Sequence, residues 1–323
     1  MFGYLIMQTG LYDLTTYELI AHDSSIFTTN LLPYDYDPDA ECPRWLKYLD
    51  EVFLSDTDTI LFVQEAVGYA FHKAIPKAVL FFLIGDGGNG KSVFIDVISS
   101  LCGTENVCNI SLNRLNDEKH LPELFGKMIN VSGETPNARC MNTDIIKSVV
   151  AGDWVTGREV YKRPSKFKPY AKHYLGMNTL PEIDDNTHGM WRRIHVIEFP
   201  RKFTEGEMDV ELTEKLMQEL SGIFNWALDG YRRLRDQGFI FSESRSMQIS
   251  KKRYKQQNSS VLDFAESHLL NRLQSELSLP LKDAFDSYRE FCSKEGVRRP
   301  LSKKEFRSAL ESEGYLIENS SKH

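Results

Sequence analysis

Phe81-Phe82-Leu83-Ile84-Gly85-Asp86-Gly87-Gly88-Asn89-Gly90-Lys91-Ser92-Val93-Phe94-Ile95 runs from an apolar strand through a glycine-dense turn into an amphipathic helix. The stretch satisfies G-x-x-x-x-G-K-[ST] at every fixed position. At average residue usage those fixed positions match by chance in on the order of one in a hundred chains of this length. Ala78 to Ile84 reads as a buried strand, and Val93, Phe94, Val97, Ile98 and Leu101 recur at helical spacing before Gly103, which weighs against a glycine turn without chemistry. Backbone N–H groups of Gly85, Asp86, Gly87, Gly88, Asn89 and Gly90, with the N-terminus of the next helix, would cradle phosphate oxygens. Lys91 would reach the β- and γ-phosphates and Ser92 would hold Mg²⁺, so ATP and magnesium are the expected ligands.

The remaining composition bounds the class. The 323 residues are 41% hydrophobic, enough for an α/β core with smaller flanking lobes. No segment approaches the roughly 20 apolar residues needed to cross a bilayer, and Met1-Phe-Gly-Tyr4 lacks the basic start of a signal peptide. No membrane partner is expected. Cys42, Cys102, Cys108, Cys140 and Cys292 are scattered, without C-x-x-C pairs or histidines at metal-ligand spacing, and read as reduced thiols of a cytoplasmic protein. A net charge of −7 argues at first against a nucleic-acid partner, but a motor can be acidic outside and basic only where a strand passes.

Residues ahead of Pro43 read as an irregular leader. Two helical patterns follow, Pro43 to Phe53 and Thr59 to Lys73, making a small helical lobe. Downstream of the loop, Lys127-Met-Ile-Asn-Val-Ser-Gly-Glu134 is a strand with a carboxylate just past its end, where a hydrolytic site needs one to polarise water and help hold magnesium; an ordinary surface Glu is the competing reading. Thr143 to Val150 reads as a helix. Arg158 to His173 holds two alternating runs about Pro164-Ser165, a hairpin with Lys162, Arg163, Lys166 and Lys168 crowded near its tip. Those cations would meet phosphates, while Tyr161, Phe167 or Tyr170 would stack on bases or pack the hairpin base. Asn178 ends the next strand, placed to sense a γ-phosphate or simply to form a turn before Pro181. Arg192 and Arg193 precede the strand Ile194 to Phe199, either flanking a sheet or reaching a neighbour's γ-phosphate. Met208 to Arg235 reads as one long helix, Arg245 to Lys255 as a basic linker rather than a phosphate contact, and the tail as three helices followed by the strand-like Tyr315-Leu-Ile-Glu318, a winged-helix-like module.

The ordered set Gly85 to Ser92, Glu134, the basic hairpin, Asn178 and Arg192-Arg193 resembles the superfamily 3 helicases, specifically the phage and plasmid primase-helicases. The resemblance covers roughly residues 1 to 240 and includes Leu11-Tyr-Asp-Leu14 and Cys42-Pro-x-Trp45. It implies an α/β, AAA+-like P-loop core within a ring, commonly a hexamer, that hydrolyses ATP between subunits, unwinds forked duplex and moves 3′ to 5′ on single-stranded DNA. By motif position it makes Lys91 and Ser92 Walker A, Glu134 the Walker B acid, Asn178 the sensor and Lys162 to Lys166 the pore loop. Arg193 becomes the finger, with Arg192 the alternative. Gly133 stands where many relatives carry a second acid, leaving Glu134 chiefly as base. An upstream primase-polymerase unit of a longer polypeptide and a phage or plasmid origin in a bacterial host are further expectations from the family.

The expected layout is a leader and helical lobe over 1–75, the ATPase core over 76–205, a lid helix and basic linker over 206–258, and a helical, winged-helix-like tail over 259–323. Two rival classes share the loop: a P-loop small-molecule kinase, which would turn over ATP as a monomer, and an ATP-dependent origin-binding scaffold, which would unwind nothing. The basic hairpin and the paired arginines favour the motor.

Overall fold

The computed structural model describes residues 3–26, 29–133, 143–158, 163–183, 188–269, 279–297 and 300–317. They form two compact units, one comprising Met1–Asp185 and Arg192–Lys251, the other Asn186–Trp191 and Lys252–His323.

The first unit opens with an antiparallel meander, β1 (Tyr4–Met7), β2 (Gly10–Asp13) and β3 (Glu18–Ile20), followed by helices α1 (Pro43–Val52) and α2 (Thr57–Tyr69). Pro43 starts α1 without loss, since the first helical N–H has no intrahelical partner, and Asp56 caps α2 by accepting from Thr59 N. Then come β4 (Leu80–Ile84), α3 (Lys91–Cys102), β5 (Val107–Cys108), β6 (Ile129–Ser132) and α4 (Thr143–Ala151). A short hairpin of β7 (Val155–Gly157) and β8 (Ser165–Phe167) leads into β9 (Lys172–Met177), and β10 (Ile194–Glu198) completes the sheet.

The five-stranded sheet has the order β10-β4-β9-β6-β5, and each neighbouring pair is parallel. Parallel strands covered on both faces must be apolar throughout, and Leu80-Phe-Phe-Leu83 and most of β9 are buried accordingly. From β4 the chain crosses to the β5 edge, whereas β10 docks on β4's other side. The reversal therefore falls at the carboxyl end of β4, where open α/β sheets bind ligands.

Two basic residues inside β9 show how the sheet is tied to its surroundings. Lys172 is buried, and its ammonium donates to the carbonyls of His72 and Ala74, just past the end of α2, and of Tyr170, two residues before it. His173 is wholly buried against Asn130; burial, helped by the Lys172 charge, pushes it down to about 3, so the ring stays neutral.

The leader and the helical lobe do not stand apart from the sheet. One continuous core runs from Leu5 and Tyr12 through Trp45, Phe62, Phe81, Phe94 and Phe224 to Met247. Trp45 stacks on Tyr48 and on Phe94 of α3, with centroids 5.3 and 6.0 Å away. The Met208 to Arg235 run is divided, contrary to the single helix its periodicity suggests, into α6 (Leu212–Met217) and α7 (Leu220–Asp236). Asp209 draws the chain into a turn through Glu211 N and Lys215 Nζ. At the second break Glu219 spends its carboxylate on Arg44 N and Trp45 N, capping α1 from a distance.

Glu65, fully buried on α2, accepts from Arg233 Nε at 2.8 Å and from Ser242 N and Oγ, clasping α7 and the segment after it. The basic stretch that follows is helix α8 (Arg245–Gln257), not a linker. Its lysines are neutralised within the chain, Lys251 by Glu243, Lys252 by Glu266 and Lys255 by Glu313, so they are not free to meet phosphates.

In the second unit α9 (Ser260–Phe264) starts at Ser259, whose side chain accepts from Leu262 N, and a π turn over Ala265–Leu269 follows. Helices Leu281–Lys294 and Lys303–Ser312 pack on it through Val261, Phe264, Tyr288, Phe291, Phe306 and Leu310. Tyr315, Leu316 and Ile317 form no strand and Glu318 lies outside the described residues; the regular elements among the described residues of this unit are helices. Among the described residues no helix is long and apolar enough to cross a membrane.

Candidate functional site

Gly85 to Gly90 join β4 to α3 as the sequence pattern requires. Gly87, Gly88 and Gly90 hold φ of 69°, 60° and 87°, the left-handed region where a side chain is strained. At Gly90 there is also no room: a Cβ would lie 2.8 Å from Val52 Cγ1 and 3.2 Å from the Tyr48 ring. Gly90 caps α3 without a side-chain hydrogen bond, so the N–H groups of Ser92 and Val93 in the first turn are available to an anion.

Lys91, the first residue of α3, is buried beneath this turn. Its Nζ donates to Gly85 O at 2.5 Å, Met177 O at 3.1 Å and Asn178 Oδ1 at 3.2 Å. Ser92 is exposed at the helix N-terminus, as is Asp86 in the loop. Asn89 accepts from Lys91 N through Oδ1, while its buried Nδ2 meets no acceptor among the described residues. Uncapped N–H groups, an orphaned amide donor, an ammonium and a hydroxyl make a donor set suited to a phosphate chain with its cation. No cluster of three or more His, Cys, Asp or Glu able to hold a metal occurs among the described residues, so the fit to magnesium rests on a hydroxyl and phosphate oxygens.

A cleft of about 620 Å³ opens over the loop. Its walls include residues that motif spacing does not single out: Arg44, Tyr48 and Glu51 of α1 on one side, and Phe203, Met208, Val210 and Leu212 on the other. Tyr48 is fully buried, and its hydroxyl donates to Gly90 O at 2.9 Å, so the N-terminal region holds the loop directly. The signal for it in the sequence is the helical spacing of Trp45, Tyr48, Leu49 and Val52, which reads equally well as plain core.

Asn178 lies at the carboxyl end of β9, between β4 and β6, and reaches Lys91. Gly133, just beyond β6, lines the cleft; Glu134 lies outside the described residues. Arg192 and Arg193 are not part of this assembly. Ile194 pairs with Leu80, and Leu80 N donates to Arg193 O, so the arginines sit where β4 begins, a whole strand from the loop at its end. Arg192 is exposed and Arg193 half-buried.

A hairpin is present but starts earlier than the alternating runs suggest: its strands are Val155–Gly157 and Ser165–Phe167, with Thr156 opposite Lys166 and Val155 opposite Phe167, so Ser165 begins a strand instead of the turn. Arg163, Lys166 and Lys168 are exposed, whereas Lys162 and Tyr161 lie outside the described residues. Of the aromatic residues offered for stacking, Phe167 is buried edge-on to Phe125, and Tyr170 donates to Asn30 Oδ1 and Gly126 O. Both pack the hairpin base.

Comparison with known proteins follows the same order along the chain. Family models described as "D5 N terminal like", "Family of unknown function (DUF5906)" and "Poxvirus D5 protein-like" match residues 3–54, 83–193 and 256–315. Segment by segment, the chain is similar to the D5-like superfamily 3 helicases. Among similar proteins, "Putative helicase L207/L206" of Acanthamoeba polyphaga mimivirus is 26% identical over 235 residues, 65% of this chain and 24% of that protein. "Putative helicase 022R" of Frog virus 3 is 23% identical over 80% of this chain and 29% of its own length. The chain thus spans about a quarter of the length of these viral relatives. The solved C-terminal region of NrS-1 matches at a TM-score of 0.52 and 17% identity, covering 82% of this chain and 66% of that one, which supports the fold.

Proposed function

We propose that this D5-like chain is the motor part of a replicative DNA helicase, binding ATP in the α1–β4–α3 cleft and hydrolysing it to move along single-stranded DNA. The observation that carries the reading is the convergence of Lys91, Ser92 and Asn178 on one uncapped helix N-terminus at the end of the central strand. Loop N–H groups and Lys91 would take the β- and γ-phosphates. Asn178, already bonded to Lys91, would orient water against the γ-phosphate, and Glu134 would remove its proton. Magnesium would rest on Ser92 with Glu134 nearby, supplying charge neutralisation to the phosphates.

A finger arginine must touch the γ-phosphate. Arg192 and Arg193 immediately precede β10, and the length of β4 separates them from their own loop by about 16 Å at 3.3 Å per residue. Their reach therefore favours the site of a neighbouring copy, which is the arrangement a ring, commonly a hexamer, would give. The exposed Arg163, Lys166 and Lys168 would hold the strand inside it. Movement 3′ to 5′ and fusion to an upstream primase-polymerase unit extend the reading by family resemblance.

Unwinding of forked duplexes with a 3′ or a 5′ tail tests it. The wild-type chain with ATP should open the 3′-tailed fork, and Lys91→Ala should open neither. Turnover of ATP with no unwinding of either fork at any protein concentration would refute the motor.

A further inference from the structure

We propose that Trp154 is a stacking platform for an unpaired nucleobase, an inference that rests on the single-strand reading of the hairpin and adds base contact to its phosphate contacts. Trp154 lies immediately before β7, and strand alternation decides what it can do. Val155 and Phe167 face inward and are buried, while Trp154, Thr156, Lys166 and Lys168 face outward. The indole is 59% exposed; of the four tryptophans, Trp45 and Trp191 are buried and Trp226 is half-buried.

Burying so large an apolar surface is ordinarily favourable, so leaving it in solvent beside charged groups asks for a partner. Lys166 Nζ and Lys168 Nζ each lie 5.5 Å from the indole centroid, within cation–π range. No carboxylate pairs with either lysine among the described residues. Two cations at one exposed aromatic plane match a polyanion carrying flat bases: the ammonium groups meet consecutive phosphates while a base lies on the indole. A protein partner with an acidic patch would satisfy the lysines but not the plane. Phe167 and Tyr170, the described aromatic residues that the hairpin pattern offers for this task, are held in the hairpin base, which leaves Trp154 as the exposed ring beside the lysines.

The test uses the full chain titrated with an oligodeoxythymidylate and, separately, with an abasic strand of equal length, over a range of salt. Wild-type tryptophan fluorescence should be quenched by the thymidylate and not by the abasic strand. Trp154→Ala should bind the thymidylate about tenfold more weakly with an unchanged salt slope, and the abasic strand as wild type does. Trp154→Phe should lose the quenching yet restore most of the affinity. Lys166→Ala should weaken both strands and flatten the slope. Equal thymidylate affinity in wild type and Trp154→Ala, or an equal loss for both strands, would overturn the platform while leaving the hairpin reading intact. If the wild-type chain binds neither strand, the hairpin reading and the platform fall together. Circular dichroism of each variant shows whether a loss reflects unfolding, and the Phe variant keeps the platform open to refutation if the Ala variant unfolds.

Discussion

Lys91 Nζ donates to Asn178 Oδ1 at 3.2 Å, joining the first turn of α3 to the carboxyl end of β9. The two side chains come from adjacent strands of the sheet, one through the loop after β4 and the other directly. A shift of β9, whose other end follows the hairpin, would therefore be felt at the phosphate loop.

On the proposed assignment Asn178 acts on the hydrolytic step and Lys91 on both binding and hydrolysis. Asn178→Ala should lower kcat for ATP about a hundredfold with KM changed by less than about threefold, in the manner of a group that acts in the transition state. Lys91→Ala should abolish turnover. Steady-state ATPase assays read both; a rise in KM alone for Asn178→Ala would show that it serves binding and not chemistry.

Tyr48 reaches the loop from the N-terminal region, and its hydroxyl can be removed without disturbing the ring. Tyr48→Phe leaves Gly90 O with Phe94 N as its donor and cuts the tie from α1 to the loop, a loss of about 1 kcal/mol for a neutral hydrogen bond, so ATP affinity should fall by up to about fivefold. Equilibrium binding of a fluorescent ATP analogue measures it, and unchanged affinity would confine Tyr48 to packing.

The chain's phosphate loop and its buried strands β4, β6, β9 and β10 were legible because each follows from a local rule, glycine spacing or an unbroken apolar run, whereas the hairpin's strands lie earlier than its alternating runs suggest. Other features depend on partners distant in sequence. Glu219 caps α1 across more than half the chain, Glu65 clasps α7, and the lysines of α8 find carboxylates at Glu243 and Glu266. No window of sequence shows those pairings, so the lid reads as one helix and α8 as a linker. Trp154 escapes notice for a related reason. A lone tryptophan between Asp153 and Val155 is indistinguishable from a core residue until the hairpin register assigns it a face.

The placement of Arg193 makes its proposed role separable from that of Lys91. If it serves a neighbour's site, Arg193→Ala subunits and Lys91→Ala subunits, each inactive alone, should regain part of the ATPase activity when mixed, because some interfaces then combine an intact loop with an intact arginine. Arg192→Ala mixed likewise distinguishes the two arginines. Absence of recovery at every ratio would remove the trans assignment.

The hairpin cations predict a salt signature. Arg163→Ala and Lys166→Ala should each reduce the log–log slope of single-strand affinity against salt by about 0.7, the share of one phosphate contact. Fluorescence anisotropy between low and moderate salt reads the slope, and an unaltered slope in both variants would exclude them as phosphate ligands.

Acid stability should depend on Glu243, and the sign follows from its surroundings. Burial raises this carboxyl, but a 2.7 Å hydrogen bond from His195 Nδ1 and the Lys251 ammonium at 3.0 Å outweigh it and bring the group down to about 2. His195 is itself buried among Phe62, Phe81 and Phe241, and burial lowers it in spite of the carboxylate. A depressed carboxyl binds its proton less readily in the folded than in the unfolded chain. Its stabilisation, on the order of 3 kcal/mol, is therefore complete above about pH 4.5 and drains away as the pH falls toward about 2. Glu243→Gln should melt well below the wild type at about pH 6, and the gap should close steadily between about pH 5 and 2. Lys251→Met, which removes one of the two groups holding the carboxyl down, should shift the closing of that gap to higher pH. Calorimetric melting of the three proteins across this window measures the effect, and a wild-type-to-Gln gap independent of pH would show that Glu243 contributes by shape and not by charge.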